Sequence, residues 1–498
     1  MNLNLLIIFP LVTCLILLFV KDSRTIKSIA LGGSVLQLML SILLFVKYRI
    51  QIAQSSSKMI FESSTTWFSS LNINYHIGVD GISVAMILLT AFVVLAGVLV
   101  SWKVEKMTKE FFFLLTLLSA GAYGFFISLD LFSMFFFLEV AVIPKYLLIG
   151  IWGSGKKEYS ANKLALMLMG GSALVLVGIL GLYYYSSSQV YGFDLMSLST
   201  QMIPLDKQLI YFPFLFVGFG VFTAIFPFHT WVPDGHSSAP TAASMFLAGI
   251  SMKLGGYGCL RVATFLMPEA AHHYSPYIVI LSTIAILYGA FATMMQKDLK
   301  YMNAYSSVSH CGFVLLGIGM LTPASINGAV LQMISHGLMT ALFFAAIGMI
   351  YERAHTRNVN ELGGLLKVMP FIGTIFILAG LCSLGLPGLS GFVAEMTVFI
   401  GSWARPEKLY RIATILSCAS IVVTAVYILR ATGSSLMGPI KNNSFSSLSD
   451  AKWNEKFASV LLLAGILIIG LAPFVVNELI EPATNNIMLN ILRISNGI

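Results

Sequence analysis

Six ionisable side chains stand in stretches that are otherwise almost wholly apolar. Glu139 lies in LFSMFFFLEVAVIPKYLLIG with Lys145 just after it, Lys253 in LAGISMKLGGYGCL, His310 in YSSVSHCGFV, His336 in LQMISHGLMTALFF and Glu395 in SGFVAEMTVFIG. A charge near the centre of a bilayer costs at least about 2.5–3.5 kcal/mol, so each of these residues asks for a reason. Read along the chain, the order is acid, base, base, histidine, histidine, acid, and such a series suits proton transfer. A carboxylate and an amine in low dielectric each set the other's protonation, so a small movement of one partner changes which of them holds the proton. Histidine titrates near neutrality and passes a proton through either ring nitrogen. Ser306, Ser307, Ser309, Gln332, Ser335 and Thr340 lie near the two histidines at helical spacings and are suited to holding water between them. The bland readings differ by residue: a single histidine is as readily a satisfied structural group, and Lys145, near the end of its run, could snorkel. Asp80 and Asp234 read as caps of helix N-termini at span ends.

These residues must be held by membrane helices. Of 498 residues 57% are hydrophobic and 10% charged, against about 25% charged in a soluble domain, and the mean hydropathy is +0.88. The apolar runs approach the ~20 residues that a helix needs to cross a bilayer, and the ten-residue alternation of a membrane barrel is missing. The expectation is an all-α integral membrane protein of about fourteen spans, a single polytopic domain over 1–498. Loops after odd-numbered spans are the richer in Lys and Arg, which places them on the cytoplasmic side and both termini outside. The N-terminal run NLNLLIIFPLVTCLILLFV reads as a spanning helix, not a removable signal. The formal net charge of +8 is spread singly through short loops and is better explained by topology than by nucleic acid. The five cysteines have no paired spacing, so neither a disulfide framework nor a metal site is expected.

Two spans are interrupted. The seventh breaks at FPFHTWVP, where Pro227 and Pro233 are expected to stop the helix and His229, Asp234 and His236 to dress the turn; the twelfth breaks at SLGLPGLSG around Pro387. Breaks at corresponding places in two halves point to an inverted repeat with its ion site at the repeat interface. The expected repeats cover 110–266 and 275–438. A mildly amphipathic tail over 474–498 is expected along the membrane interface or a neighbouring subunit.

The stretches PFHTWVPDGHSSAPTAASMFLAGISMKLGGYG, AYSSVSHCGFVLLGIG, VLQMISHGLMTALFF, YERAHTRNVNELGGL and GLPGLSGFVAEMTVFIGS resemble the antiporter-like membrane subunits of proton-pumping NADH:quinone oxidoreductase, respiratory complex I, of the chain M or subunit 4 type. The resemblance runs from about Leu129 to Trp403. It implies a subunit of the membrane arm in a bacterial inner membrane, beside sister antiporter-like chains and small membrane chains, moving protons while quinone is reduced elsewhere. It implies no cofactor in this chain, with NADH, FMN, iron-sulfur clusters and quinone in partner subunits. Multisubunit cation/proton antiporters and membrane-bound hydrogenases share these motifs. Glu139, Lys253, His310, His336 and Glu395 match the family's proton path. The family's seventh-span lysine does not occur: its position is Phe222, and no Lys, Arg or His stands in residues 209–228. Lys145 is the candidate replacement. Six residues of ideal helix rise about 9 Å and turn about 240° net, so Lys145 needs a bend at Pro144 to reach back to Glu139. A membrane-arm spacer with a disabled channel would also fit the missing lysine.

Overall fold

A computed structural model describes residues 1–54, 58–185, 192–201 and 203–495. The last three residues of the expected tail, 496–498, lie outside the described residues. The chain opens with α1 (Leu5–Phe19) and α2 (Ser23–Ile52), a hairpin of β1 (Ile60–Phe68) and β2 (Ile73–Val79), then α3 (Gly81–Val100) and α4 (Thr108–Ile127). There follow α5 (Leu131–Val140), α6 (Val142–Trp152), α7 (Lys157–Tyr185), the short α8 (Leu195–Thr200) and α9 (Leu205–Thr223). Next come α10 (Trp231–Ser238), α11 (Thr241–Phe246) and α12 (Met252–Gly258); π-helical turns at Leu247–Ser251 and Cys259–Thr264 join α11 to α12 and prolong it. The second half holds α13 (Pro268–Met295), α14 (Leu299–Met320), α15 (Pro323–Ala354), α16 (Leu365–Val368), α17 (Pro370–Ser383), α18 (Ser390–Trp403), α19 (Lys408–Leu436), α20 (Trp453–Leu471) and α21 (Phe474–Ser495).

Among the described residues, ten helices are long and apolar enough to cross a membrane, and α1 and α17 are shorter apolar helices. The hairpin corrects the all-helical expectation. Its strands pair antiparallel, Thr65 opposite Tyr75, with the first residue of β1 and the first and last three of β2 buried. This hairpin is too short and its first strand too polar to stand out beside runs of spanning length.

Helix starts follow their caps. Asp130 accepts from the amides of Phe132 (2.9 Å) and Ser133 (3.1 Å) to open α5, and Asp298 accepts from Lys300 N (2.7 Å) to open α14. Asp80 caps α3 through Ser83 N (2.9 Å), as read from sequence, and also pairs with buried Arg261. Asp234 does not cap: it lies inside α10, where it takes Lys163 Nζ at 2.7 Å. Pro233 is likewise a correction. It sits in the first turn of α10 and so begins that helix instead of stopping the one before, because a missing N–H costs nothing there. The preceding helix α9 stops at Thr223 with Ala224 in the left-handed region at φ 70°, and after α17 the first residue with positive φ is Gly385 at 75°. Pro227 and Pro387 are exposed in the stretches that follow.

The helix α15 is the central post. Its most apolar 18-residue window is 100% buried, and it packs against α3, α11, α14, α17, α18, α20 and α21. The tail helix α21 lies on α3, α13, α15 and α20 of its own chain, and Asn490 Nδ2 donates to Phe265 O at 2.9 Å. On the other side α12 approaches α9 so closely that a Cβ at Gly255 would stand 2.4 Å from the Phe219 carbonyl oxygen. This contact brings the helix of Lys253 against the helix of Phe222.

Candidate functional site

Four of the sequence-selected residues come together in one line through the core. Lys253 lies on α12 between the two π-helical turns, 1% exposed. Such wide turns recur at functional sites, and here the Ala248 carbonyl of the first turn accepts from the lysine's own amine. The same amine lies 2.7 Å from His336 Nδ1 on α15. An ammonium only donates, so a charged Lys253 requires His336 to accept at Nδ1 and to carry its proton on Nε2. His336 Nε2 has no protein partner among the described residues.

The His336 and His310 rings lie 5.4 Å apart between centroids, tilted by 32°. His310 on α14 is held at both nitrogens: Nε2 lies 2.9 Å from Ser383 Oγ, and Nδ1 lies 3.3 Å from both Gln332 Nε2 and Glu395 Oε1. The tautomer decides the route. With its proton on Nδ1, His310 donates to Glu395; with its proton on Nε2, it donates to Ser383 and accepts from Gln332. Glu395 is 4% exposed on α18, one turn after the stretch that separates α18 from α17. Gly385 in that stretch is required twice over, since its φ is +75° and a Cβ would stand 2.7 Å from Glu395 Oε2. Ser335 Oγ donates to Ser390 Oγ at 2.7 Å and pins α15 to the start of α18.

The other sequence-selected residues stand apart from this line. Glu139 on α5 is half-buried and its Oε1 has no partner among the described residues. Lys145 on α6 is fully buried, and its amine likewise has no hydrogen-bond partner there. The expected reach from Lys145 back to Glu139 is not made: α5 ends at Val140, α6 begins at Val142, and the amine turns instead to the Phe222 ring, 5.9 Å from its centroid. His229 stacks on Phe226, and His236 is wholly buried with neither ring nitrogen partnered among the described residues.

Several buried charges escaped the sequence reading. Lys300, two residues after the Asp298 cap, is buried with its amine on Ala239 O at 2.8 Å. Arg353 of the YERAHTR motif donates to Glu455 Oε2 (2.6 Å), Ser449 O (2.7 Å) and Asp450 O (3.1 Å), tying the end of α15 to the polar loop before α20. Arg353 was marked only by its membership of the YERAHTR stretch, and Lys300 lies in none of the motif stretches; neither stands isolated in an apolar run. Outside the spans, His76 of β2 bonds Asp194 and lies 3.6 Å from Glu62. The Asp194 bond, followed by the fields of both carboxylates, raises His76 above its usual range against the effect of burial. Burial pushes the carboxyl of Asp130 up to about 6, although amides of Ser133, Asn74 and Phe132 favour its ionised form.

Residues 128–422 match the family described as NADH:quinone oxidoreductase/Mrp antiporter, TM. The chain belongs to this family. It is 35% identical over 489 residues to the NADH-quinone oxidoreductase subunit M of Rickettsia bellii, covering 97% of each chain. It is also 35% identical over 512 residues to the NAD(P)H-quinone oxidoreductase chain 4 2 of Microcystis aeruginosa, covering 97% of this chain and 92% of that one. A chain in the structure titled respiratory complex I from Thermus thermophilus with bound NADH shares the fold, with a TM-score of 0.89 at 24% identity over 98% of this chain and 99% of that one. The line from Lys253 to Glu395 lies entirely within the residues that match the family.

Proposed function

We propose that this chain is a proton-translocating membrane-arm subunit of a NADH:quinone oxidoreductase, moving protons along Lys253, His336, His310 and Glu395, with Glu139 at the other end of the path. The observation that carries this reading is the succession of short contacts from Lys253 to Glu395: amine to imidazole at 2.7 Å, imidazole to imidazole at 5.4 Å between centroids, imidazole to carboxylate at 3.3 Å. All four groups are buried, and each of them can take up and give back a proton. The chemistry available to them is proton exchange.

On this reading the helices make fourteen spans: α1 to α4, α5 with α6, α7, α9 with α10, α11 with α12, α13, α14, α15, α17 with α18, α19 and α20. The spans at α9–α10 and α17–α18 are the two broken ones, each with a left-handed residue at its break, and they relate an inverted pair of repeats over 110–266 and 275–438. Both termini face outward from a bacterial inner membrane, α21 lies at the interface, and sister membrane chains flank the bundle. NADH, FMN, iron-sulfur clusters and quinone belong to partner subunits. The identity to quinone oxidoreductase chains over nearly the full length favours this assignment over a cation/proton antiporter. The test is NADH-driven acidification of inverted membrane vesicles carrying Glu139→Gln or Lys253→Met. Each variant is expected to remove most of the gradient while the complex assembles; normal pumping in both refutes the proton path.

A further inference from the structure

Lys145 and Phe222 face each other from α6 and α9 at the one place where the family pattern and this chain part. Pro144 lacks an N–H, so the Val140 carbonyl loses its helical partner, and the helix is interrupted at Ala141. The restart at Val142 aims Lys145 inward. Its side chain is fully buried, its amine has no hydrogen-bond acceptor among the described residues, and the aromatic group beside it is Phe222, 5.9 Å from amine to ring centroid and itself 1% exposed. On the far side of the interruption, Glu139 Oε1 is also without a hydrogen-bond partner among the described residues.

The energies do not balance for a lysine that is charged at all times. A cation over a ring near the ~6 Å limit gains far less than it costs to remove an ammonium from water, even after relaxation. A structural ion pair would close that gap, and none is made within 4.0 Å between Lys145 and Glu139. An amine that takes up and gives back its proton closes it in another way, provided that water reaches the two unpartnered groups.

We propose, on the basis of the proton-path reading above, that Lys145 is the proton-carrying base of the first half of the path. It brings its amine from α6 into the space against α9 above the Phe222 ring, so the basic group of this half-path has changed helices while keeping its place. In uptake, an N–H bond forms at the Lys145 amine as an O–H bond of a hydrated proton breaks. Release to the Glu139 carboxylate reverses this, one N–H broken and one O–H formed, and no electron changes hands.

The test transposes the charge in the intact complex, with pumping measured in inverted membrane vesicles and complex content by NADH oxidation with an artificial acceptor. Lys145→Met is expected to cut NADH-driven acidification about 10²-fold or more, in line with the roughly 10²–10⁴-fold worth of a positioned proton-transfer group. Lys145→Met with Phe222→Lys is expected to restore most of it. Lys145→Arg keeps the charge but cannot release a proton, and is expected to assemble and not pump. Undiminished pumping in Lys145→Met or Lys145→Arg, while Glu139→Gln and Lys253→Met abolish it, overturns this inference and leaves the path standing. Undiminished pumping in all of them overturns the path reading itself. A double variant no better than Lys145→Met overturns the claim that an amine at this place is what matters.

Discussion

Replacing Lys253 separates two roles that look alike in a static structure, a fixed positive charge and a proton carrier. In Lys253→Met the contact at 2.7 Å to His336 Nδ1 disappears, and the next group near that nitrogen is Cys311 Sγ at 3.8 Å. That gap exceeds the ~2.6–3.2 Å over which a proton passes directly, so the line is cut between α12 and α15. Loss of a positioned proton-transfer group is worth about 10²–10⁴ in rate, or roughly 2.7–5.5 kcal/mol. Lys253→Arg is the sharper variant. Its guanidinium keeps the charge and reaches the same neighbours, but it does not deprotonate at any accessible pH, so it should be as silent as Lys253→Met. The site is buried, and forcing in the larger head costs about 1–3 kcal/mol. Assembly is therefore measured alongside, as complex content and as NADH oxidation with an artificial acceptor. The assay is the initial rate of NADH-driven acidification per assembled complex in inverted vesicles. Wild-type pumping in Lys253→Arg would refute the reasoning, because a group that holds its proton permanently would then suffice.

Further outcomes follow from other contacts. Gly385→Ala places a Cβ in the left-handed region at about 1–2 kcal/mol and against Glu395 Oε2; pumping per assembled complex should fall, and unchanged pumping would remove the Glu395–His310 contact from the path. Asp130→Ala deletes the cap of α5 and should lower the thermal stability of the complex by ~1 kcal/mol, read as a shift in its inactivation temperature; no shift would mean the cap is replaced by solvent. His76 has a raised folded value, so its fastening of the hairpin to Asp194 is fully present below the unfolded value of about 6.5 and is lost as pH rises through the folded one. Burial opposes ionisation of Asp194, but bonds from His76 and Ser197 hold it below its ordinary value, so its contribution is lost only on acidification through that lowered value. Hydrogen exchange of the hairpin amides, corrected for intrinsic rates, should quicken above neutrality and lose this dependence in His76→Ala; protection independent of pH would refute the latch.

The identity of the central groups was legible because each is a titratable residue inside an apolar run. Lys253, His310, His336 and Glu395 needed only that contrast to be selected, and the structure places them in one line. Their order in space was not legible. The contact from α12 to α15 joins residues far apart in sequence, and the π-helical turns around Lys253 depend on a hydrogen-bond shift that hydrophobic periodicity does not report. Ser383, Gly385 and Ser390 were passed over because small polar residues at a break look like any loop, although Gly385 is shaped by the carboxylate beside it. Lys145 was selected, but its direction was not legible: ideal helix geometry argued against a reach to Glu139 and a bend at Pro144 was expected to allow it, whereas the interruption at Ala141 turns the amine to Phe222. The buried pair of Asp80 and Arg261 joins a cap to a distant helix, and only half of it, the cap, was visible in sequence.

The central claim is that protons cross the membrane through this chain's own side chains. It is tested most directly by the number of protons moved per NADH oxidised, measured in proteoliposomes of the intact complex carrying Glu395→Gln. Gln keeps the size of the side chain and cannot bind and release a proton in the carboxylate's place. The account predicts a lower ratio with NADH oxidation continuing; an unchanged ratio in a fully assembled complex would contradict it.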